Sequence, residues 1–432
     1  MIHTLDLSDK NGGYRRLLPR SNFNVEQAVE LVRPICDAVA SQGIVALEKF
    51  SEQFDQIVPE SFRVPAELLE QSAQQLPTEL REAFEVAITR RRKICQELET
   101  EPEQRSAQLA SGAIIHQAVL PVERVGLYVP GGLAPLASSV IMNVIPAQVA
   151  GVKSIAVASP PQIEFGGWPH PNILGLCQLL GVAEVYAVGG AQAIAMFGYG
   201  VEGLCEPVNM VTGPGNIYVV AAKRVLKGVI GIDAEAGPTE IAILADDSAN
   251  PKYVAADLIS QAEHDNNAAA ILITDSTSLA ELVKAEIINQ VATAKHEDRI
   301  KTALAGKQSA IVLVRDLTQA IAVANAYAAE HLEIQTRNAD QVARRIINAG
   351  AIFVGDYSPV SLGDYSAGST HVLPTAGCAC HSSGLNVRSF MRYVHVINYT
   401  EQALNDIATG VEKFALAEDL PSHANAITVR RG

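Results

Sequence analysis

The stretch "RVGLYVPGG", Arg124–Gly132, is where the chain changes character. Before it the sequence is rich in Glu, Gln and Arg, and "AELLEQSAQQLPTELREAFEVAITRRRKICQELE" (66–99) carries apolar residues at helical spacing. From Arg124 onward short β-branched runs alternate with helical segments: "KSIAVASPP", "EVYAVGG" and "NMVTGPG", then "EIAILADD", "AAILITD", "AIVLVRD" and "AIFVGDY". Apolar strands separated by helices argue for parallel sheets with crossover helices. That is more strands than a single four- or five-stranded unit needs. The break at "AEAGPTE", Ala234–Glu240, divides them into two Rossmann-like halves. The expected fold is therefore α/β: two Rossmann-like parallel-sheet halves with helical N-terminal and C-terminal extensions. A mainly helical region is expected over 1–112, the halves over 113–237 and 238–377, and a helical tail over 378–432, where "EQALNDIATGVEKFALAEDL" is amphipathic.

A chain of 432 residues with 19% charged side chains has the size and composition of a multidomain globular protein. Lys and Arg number 33 against 47 Asp and Glu, a net charge of −14 that on balance repels nucleic acid and anionic lipid. The expected partner is a small molecule. The opening "MIHTLDLSDKNGGYRR" lacks the apolar core of a signal peptide and no run approaches a membrane span, so a cytoplasmic enzyme is expected. The six cysteines include no C-x-x-C pair and read as reduced thiols, with Cys378 and Cys380 in a surface loop.

The chemistry-bearing residues fall in four places. In "LISQAEHD", Asn250 caps and Pro251 starts a helix running to about His264, with Val254, Ala255, Leu258, Ile259 and Ala262 as its buried stripe. Gln261 and His264 lie about 60° apart on its rim, with Asp257 between them in projection, so the pair can reach one ligand. A capping or core-satisfied histidine is the alternative. In "NAYAAEHLEI" the neighbours Glu330 and His331 stand between a helix and a strand and suit general acid–base work, or else a helix end with a solvated acid. The stretch "GDYSPVSLGDYSAGSTHVLP" puts Asp364 and His371 in a Gly/Ser-rich loop, and "ALAEDLPSHANAI" offers Glu418 and His423. Gln261, His264, Asp364 and His423 together would offer zinc mixed oxygen and nitrogen donors, which spacing alone leaves open. The turns "YVPGG", "VGGAQA" and "TGPGN" let a backbone approach a dinucleotide, although the chain has no G-x-G-x-x-G.

Taken in order, "GLYVPGG", "VGGAQAIA", "TGPGNIYV", "AGPTE", "ISQAEHD", "AEHLEI", "GDYSAGSTHVLPT" and "AEDLPSH" resemble the histidinol dehydrogenase family over nearly the whole chain. The resemblance implies oxidation of L-histidinol through L-histidinaldehyde to L-histidine, with two NAD consumed. It implies zinc held by Gln261, His264, Asp364 and His423, His331 as the base for the hydroxyl proton, and Glu330 as the activator of water. Thr239, His371 and Glu418 match substrate contacts beside the zinc ligands and His331, while Tyr128, Gln192 and Asn216 match NAD contacts. The first half is then the NAD side and the second carries zinc and catalysis. The resemblance also implies that the tail crosses to the partner of a homodimer. Thr239 stands where Ser is common in the family, Thr370 where Asn is common, and Val360 where an acid is common. None removes an implied ligand or catalyst.

Overall fold

Runs such as Glu240–Ala245 and Ala269–Thr274 are buried at every position, as befits strands covered on both faces. In the computed structural model, which describes residues 2–21, 24–100, 102, 104–131 and 135–431, they lie at the centre of a six-stranded parallel sheet. Its order is His3–Asp6, Ala310–Leu313, Ala269–Thr274, Glu240–Ala245, His331–Gln335, Ala351–Val354. A second parallel sheet, of five strands, runs Glu184–Ala187, Ser154–Ser159, Arg124–Tyr128, Met210–Thr212, Gly231–Ile232. Counting each half's own strands in chain order, both sheets read 3-2-1-4-5, the doubly wound order whose crevice opens between strands 1 and 4. The fold is the α/β one expected, with two Rossmann-like sheets. The chain leaves the first sheet at Ile232 and enters the second at Glu240, across the "AEAGPTE" stretch.

Helices close both faces of each sheet. Val25–Gln42 lays Val25, Ala28, Val32, Cys36 and Val39 on the helices Gly190–Tyr199 and Ile217–Leu226. On the opposite face Ala66–Gln74 packs against Pro171–Leu179, and Thr78–Ile94 against Ser138–Ala150. The helix Pro251–Ala262 begins as read, with the Asn250 side chain accepting from the Lys252 N–H at 3.0 Å. Its stripe of Val254, Ala255, Leu258 and Ala262 is fully buried. All six cysteines are unpaired.

The extensions are helical but contain strands that the sequence reading lacked. His3–Asp6 joins the edge of the six-stranded sheet beside Ala310–Leu313, a partner far along the chain. Gln104–Ala110, Ala113–Pro121 and Met391–Tyr399 form a separate antiparallel sheet. The tail expected to be helical over 378–432 therefore contains a strand, Met391–Tyr399. Met391–Tyr399 is exposed on both faces in a single chain, with Val396 and Ile397 open to solvent, so it lacks the alternation of a half-buried strand. Beyond it Glu401–Ala417 and Pro421–Thr428 form a helical hairpin that packs mainly on itself. Phe414 and Leu416 remain 69% and 57% exposed there. Among the described residues no helix is long and apolar enough to cross a membrane.

Candidate active site

The amino edge of the six-stranded sheet carries the polar cluster. Thr239 immediately precedes strand Glu240–Ala245, and His331 opens the adjacent parallel strand, so the two stand side by side at the amino ends of strands 1 and 4. The helix Leu317–Tyr327 ends in Ala328, a non-glycine residue at φ 50°, and this left-handed turn swings Glu330 and His331 into line. Gly350 makes room: a Cβ there would run into the Glu330 carbonyl. Glu330 and His331 are only 6% and 4% exposed.

A continuous set of contacts links these residues. The Gln261 amide donates to Thr239 Oγ1, and that hydroxyl donates to Glu330 Oε2 at 2.6 Å. The Glu240 N–H donates to the same Glu330 oxygen at 2.8 Å. Glu330 Oε2 lies 3.4 Å from His331 Nδ1, and His331 Nε2 lies 4.0 Å from Asp364 Oδ1. Asp364 sits in a short helix, Val360–Tyr365, rather than in the loop expected for it. His371 lies in the loop beyond, its Nδ1 3.1 Å from the Asp364 carbonyl and its Nε2 3.4 Å from Ser139 Oγ at the head of a helix of the other half. Arg90 and Arg91 pin this loop by donating to the Ser366 and Gly368 carbonyls at 3.0 and 3.3 Å. Thr239, Gln261, Glu330, His331, Asp364 and His371 are thus brought together where the two halves meet.

The histidines share one arrangement. Each places Nδ1 against a backbone carbonyl: His264 on Ser260, His331 on Glu240 and His371 on Asp364, at 3.1, 3.3 and 3.1 Å. A carbonyl only accepts, so Nδ1 carries the proton and Nε2 is left to accept a proton or bind a metal. His331 Nε2 is buried with no partner, as is Gln261 Oε1. Burial opposes charge on His331, but the charge and hydrogen bond of Glu330, then Asp364 and the Glu240 carbonyl, outweigh it and push the imidazole up to about 9. Burial holds His371 below its ordinary value despite Asp364. Asp257, which projection put between Gln261 and His264, turns away instead. It accepts from Gln335 at 3.2 Å beside Glu333, and burial raises both acids; Glu333 also receives the Val360 N–H at 2.9 Å.

His264 is exposed at the end of its helix, and Glu418 and His423 are exposed on the tail. Glu418 and His423 flank a groove of about 570 Å³ lined by Val411, Phe414, Leu420 and Ile427. Neither Glu418 nor His423 touches the cluster of its own chain, and among the described residues no three His, Cys, Asp or Glu side chains converge as a metal site.

The three glycine turns lie at the carboxyl edge of the five-stranded sheet; Gly132 of the first is outside the described residues. Tyr128 ends its strand, and its hydroxyl accepts from the Gly190 N–H at 3.0 Å, where the helix bearing buried Gln192 begins. Asn216 caps the helix Ile217–Leu226, accepting from Tyr218 and Val219 at 3.0 and 3.2 Å, which accounts for its carbonyl but leaves its amide N–H groups free of that duty. Gly213, at φ 117°, lies so close to the Tyr128 carbonyl that no Cβ fits. Asp55 stands beside this edge, its Oδ1 3.2 Å from where a Cβ of Gly189 would lie and its Oδ2 buried without a partner. Burial pushes its carboxyl up to about 7. Sequence reasoning missed it because an acid at a helix end looks like any solvated one.

Two doubly wound sheets with a buried carboxylate–imidazole pair at their junction define an α/β enzyme equipped for acid–base chemistry beside a nucleotide-type crevice. The sequence profile of the histidinol dehydrogenase family matches residues 18–431, and the chain belongs to that family of oxidoreductases. It is 64% identical over 437 residues to the histidinol dehydrogenase of Cutibacterium acnes, covering all of both chains. It is 58% identical to that of Thermobifida fusca, covering 100% of this chain and 98% of the other. The crystal structure of the histidinol dehydrogenase from Elizabethkingia anophelis superposes with a TM-score of 0.92 at 32% identity, covering 99% and 98% of the two chains.

Proposed function

We propose that this chain catalyses the last step of histidine biosynthesis, the zinc- and NAD-dependent oxidation of L-histidinol through L-histidinaldehyde to L-histidine, as a cytoplasmic homodimer. The observation that carries the reading is His331: its Nε2 is buried and unpartnered while Nδ1 faces Glu240 and Glu330, so an imidazole nitrogen is aimed into the cluster and accepts once the second proton, which Glu330 and Asp364 stabilise up to about 9, has left. Substrate binds among Thr239, His371 and the partner's Glu418, against Gln261, His264, His331, Asp364 and the partner's His423. His331 Nε2 takes the proton of the substrate hydroxyl in the first oxidation. Glu330, steadied by the Thr239 hydroxyl and the Glu240 N–H, takes a proton from the water that attacks the aldehyde carbon before the second.

The donor set suits zinc. Gln261 Oε1 is a buried oxygen in need of a partner, Asp364 supplies a second oxygen, and His264 offers Nε2. The fourth donor, His423, comes from the tail of a second copy, whose exposed apolar hairpin and strand need a partner to cover them. Zinc held there would supply a Lewis-acidic anchor that orients the reacting carbon of the substrate, and NAD held by Tyr128, Gln192 and Asn216 would supply the hydride acceptor. The test is NADH release on adding L-histidinol, with and without a chelator. Full activity in metal-stripped protein refutes zinc dependence, and absence of NADH from metal-loaded protein refutes the reaction.

A further inference from the structure

Behind the Glu330–His331 pair lies an ion pair that no sequence motif marked. Arg20, from the segment before the first long helix, reaches across 220 residues to Glu240, its Nη1 3.2 and 3.1 Å from the two carboxylate oxygens. Its Nη2 donates to the Tyr327 carbonyl, and its guanidinium carbon lies 4.2 Å from the centroid of the Tyr327 ring. Tyr327 is fully buried, and its hydroxyl donates to Glu240 Oε2 at 3.3 Å. Gly377 closes the far side, where a Cβ would come within 2.9 Å of Arg20 Nη2.

What Glu240 holds is the peptide on which both active groups rest. Its N–H donates to Glu330 Oε2 at 2.8 Å, and its carbonyl accepts from His331 Nδ1 at 3.3 Å. One residue therefore aims the carboxylate and sets the tautomer of the imidazole, and the place of that residue is fixed through its own side chain. We propose that Arg20 and Glu240 are a positioning pair, anchoring through the Glu240 side chain the backbone that orients Glu330 and His331. The Glu240 side chain is only 4% exposed and lies near Glu330, a place where a second carboxylate is disfavoured without a cation. For stability alone an apolar pair of the same volume would serve as well, so the charged pair points to a requirement for directed geometry. Arg20 suits it because a planar fork fixes direction as well as charge.

This inference rests on the acid–base roles proposed for Glu330 and His331, and the test separates the two. Metal-loaded dimeric enzyme is assayed with L-histidinol and NAD for kcat per folded site and for KM. Arg20→Met is expected to lower kcat by about tenfold to a hundredfold, the scale of a misplacement below an ångström or so, with KM for histidinol within about threefold. Arg20→Lys recovers part of the loss, as does guanidinium ion added to Arg20→Ala. The double variant Arg20→Met, Glu240→Gln is no slower than the worse single one, because the two act as a unit. A kcat for Arg20→Met within twofold of the parent, or losses that multiply in the double variant, overturns the proposal. If Glu330→Gln and His331→Asn themselves keep parental rates, it is the acid–base reading that falls.

Discussion

Thr239→Val removes one oxygen and leaves nearly the same shape. The hydroxyl it deletes is the link between Gln261 and Glu330: it accepts from the Gln261 amide and donates to Glu330 Oε2 at 2.6 Å. Glu330 keeps its bond from the Glu240 N–H, so its position is loosened and not lost. A hydrogen bond to a charged group contributes about 1.5–3 kcal/mol, and the Gln261 amide is left buried without that acceptor. If most of that energy is expressed in the transition state, kcat/KM falls by about tenfold to 150-fold. Thr239→Ser keeps the hydroxyl and stays within about threefold of the parent. The assay is the initial rate of NADH formation from L-histidinol in metal-loaded protein, with a thermal melt as the control for folding. A folded Thr239→Val enzyme within twofold of the parent would refute the link.

Other expectations follow from the same geometry. His264→Asn and His423→Asn each lower bound zinc, measured by metal analysis of the purified dimer, and abolish most turnover while the melting temperature of the fold changes little. Mixed under conditions of subunit exchange, those two inactive variants regain a substantial fraction of activity, since one site of each mixed dimer inherits both defects and the other none; an inactive mixture with exchange demonstrated contradicts the shared site. Asp55, raised from 3.8 to about 7 by burial, opposes folding once the unfolded chain ionises near its ordinary value, and this opposition grows as pH rises and is full above about 7. Asp55→Asn is therefore more stable than the parent at pH 8, by about 1–4 kcal/mol in urea unfolding, with no gain below pH 4.

The sheets were legible because their strands are buried on both faces and so read as unbroken apolar runs, Ile241–Ala245 being one. The helix Pro251–Ala262 was legible through Asn250 and Pro251, whose capping chemistry is local. Strand Met391–Tyr399 was not, since its partners lie far off in the chain and neither face is buried in one copy. His3–Asp6 was hidden for a like reason, its partner being Ala310–Leu313. Within the site, Gln261, Glu330, His331 and Asp364 stood out as polar groups that packing does not explain. Arg20 did not, because its function depends on a fold that brings it beside Glu240. The position of the cluster was unexpected too. Doubly wound sheets bind ligands at their carboxyl edges, as Tyr128 and Asn216 suggest for the first half, whereas Thr239 and His331 stand at the amino edge of the second. The contact of His371 with Ser139 joins the two edges across the junction.

If Glu330 and His331 serve two successive oxidations of one substrate, the stoichiometry of the reaction shows it. L-Histidinol is supplied in limiting amount to the zinc-loaded dimer with excess NAD, and NADH and L-histidine are both quantified at completion. Two NADH per histidine formed are expected, with no aldehyde accumulating. One NADH per substrate with free aldehyde as the end product, or no NADH at all, would contradict that expectation.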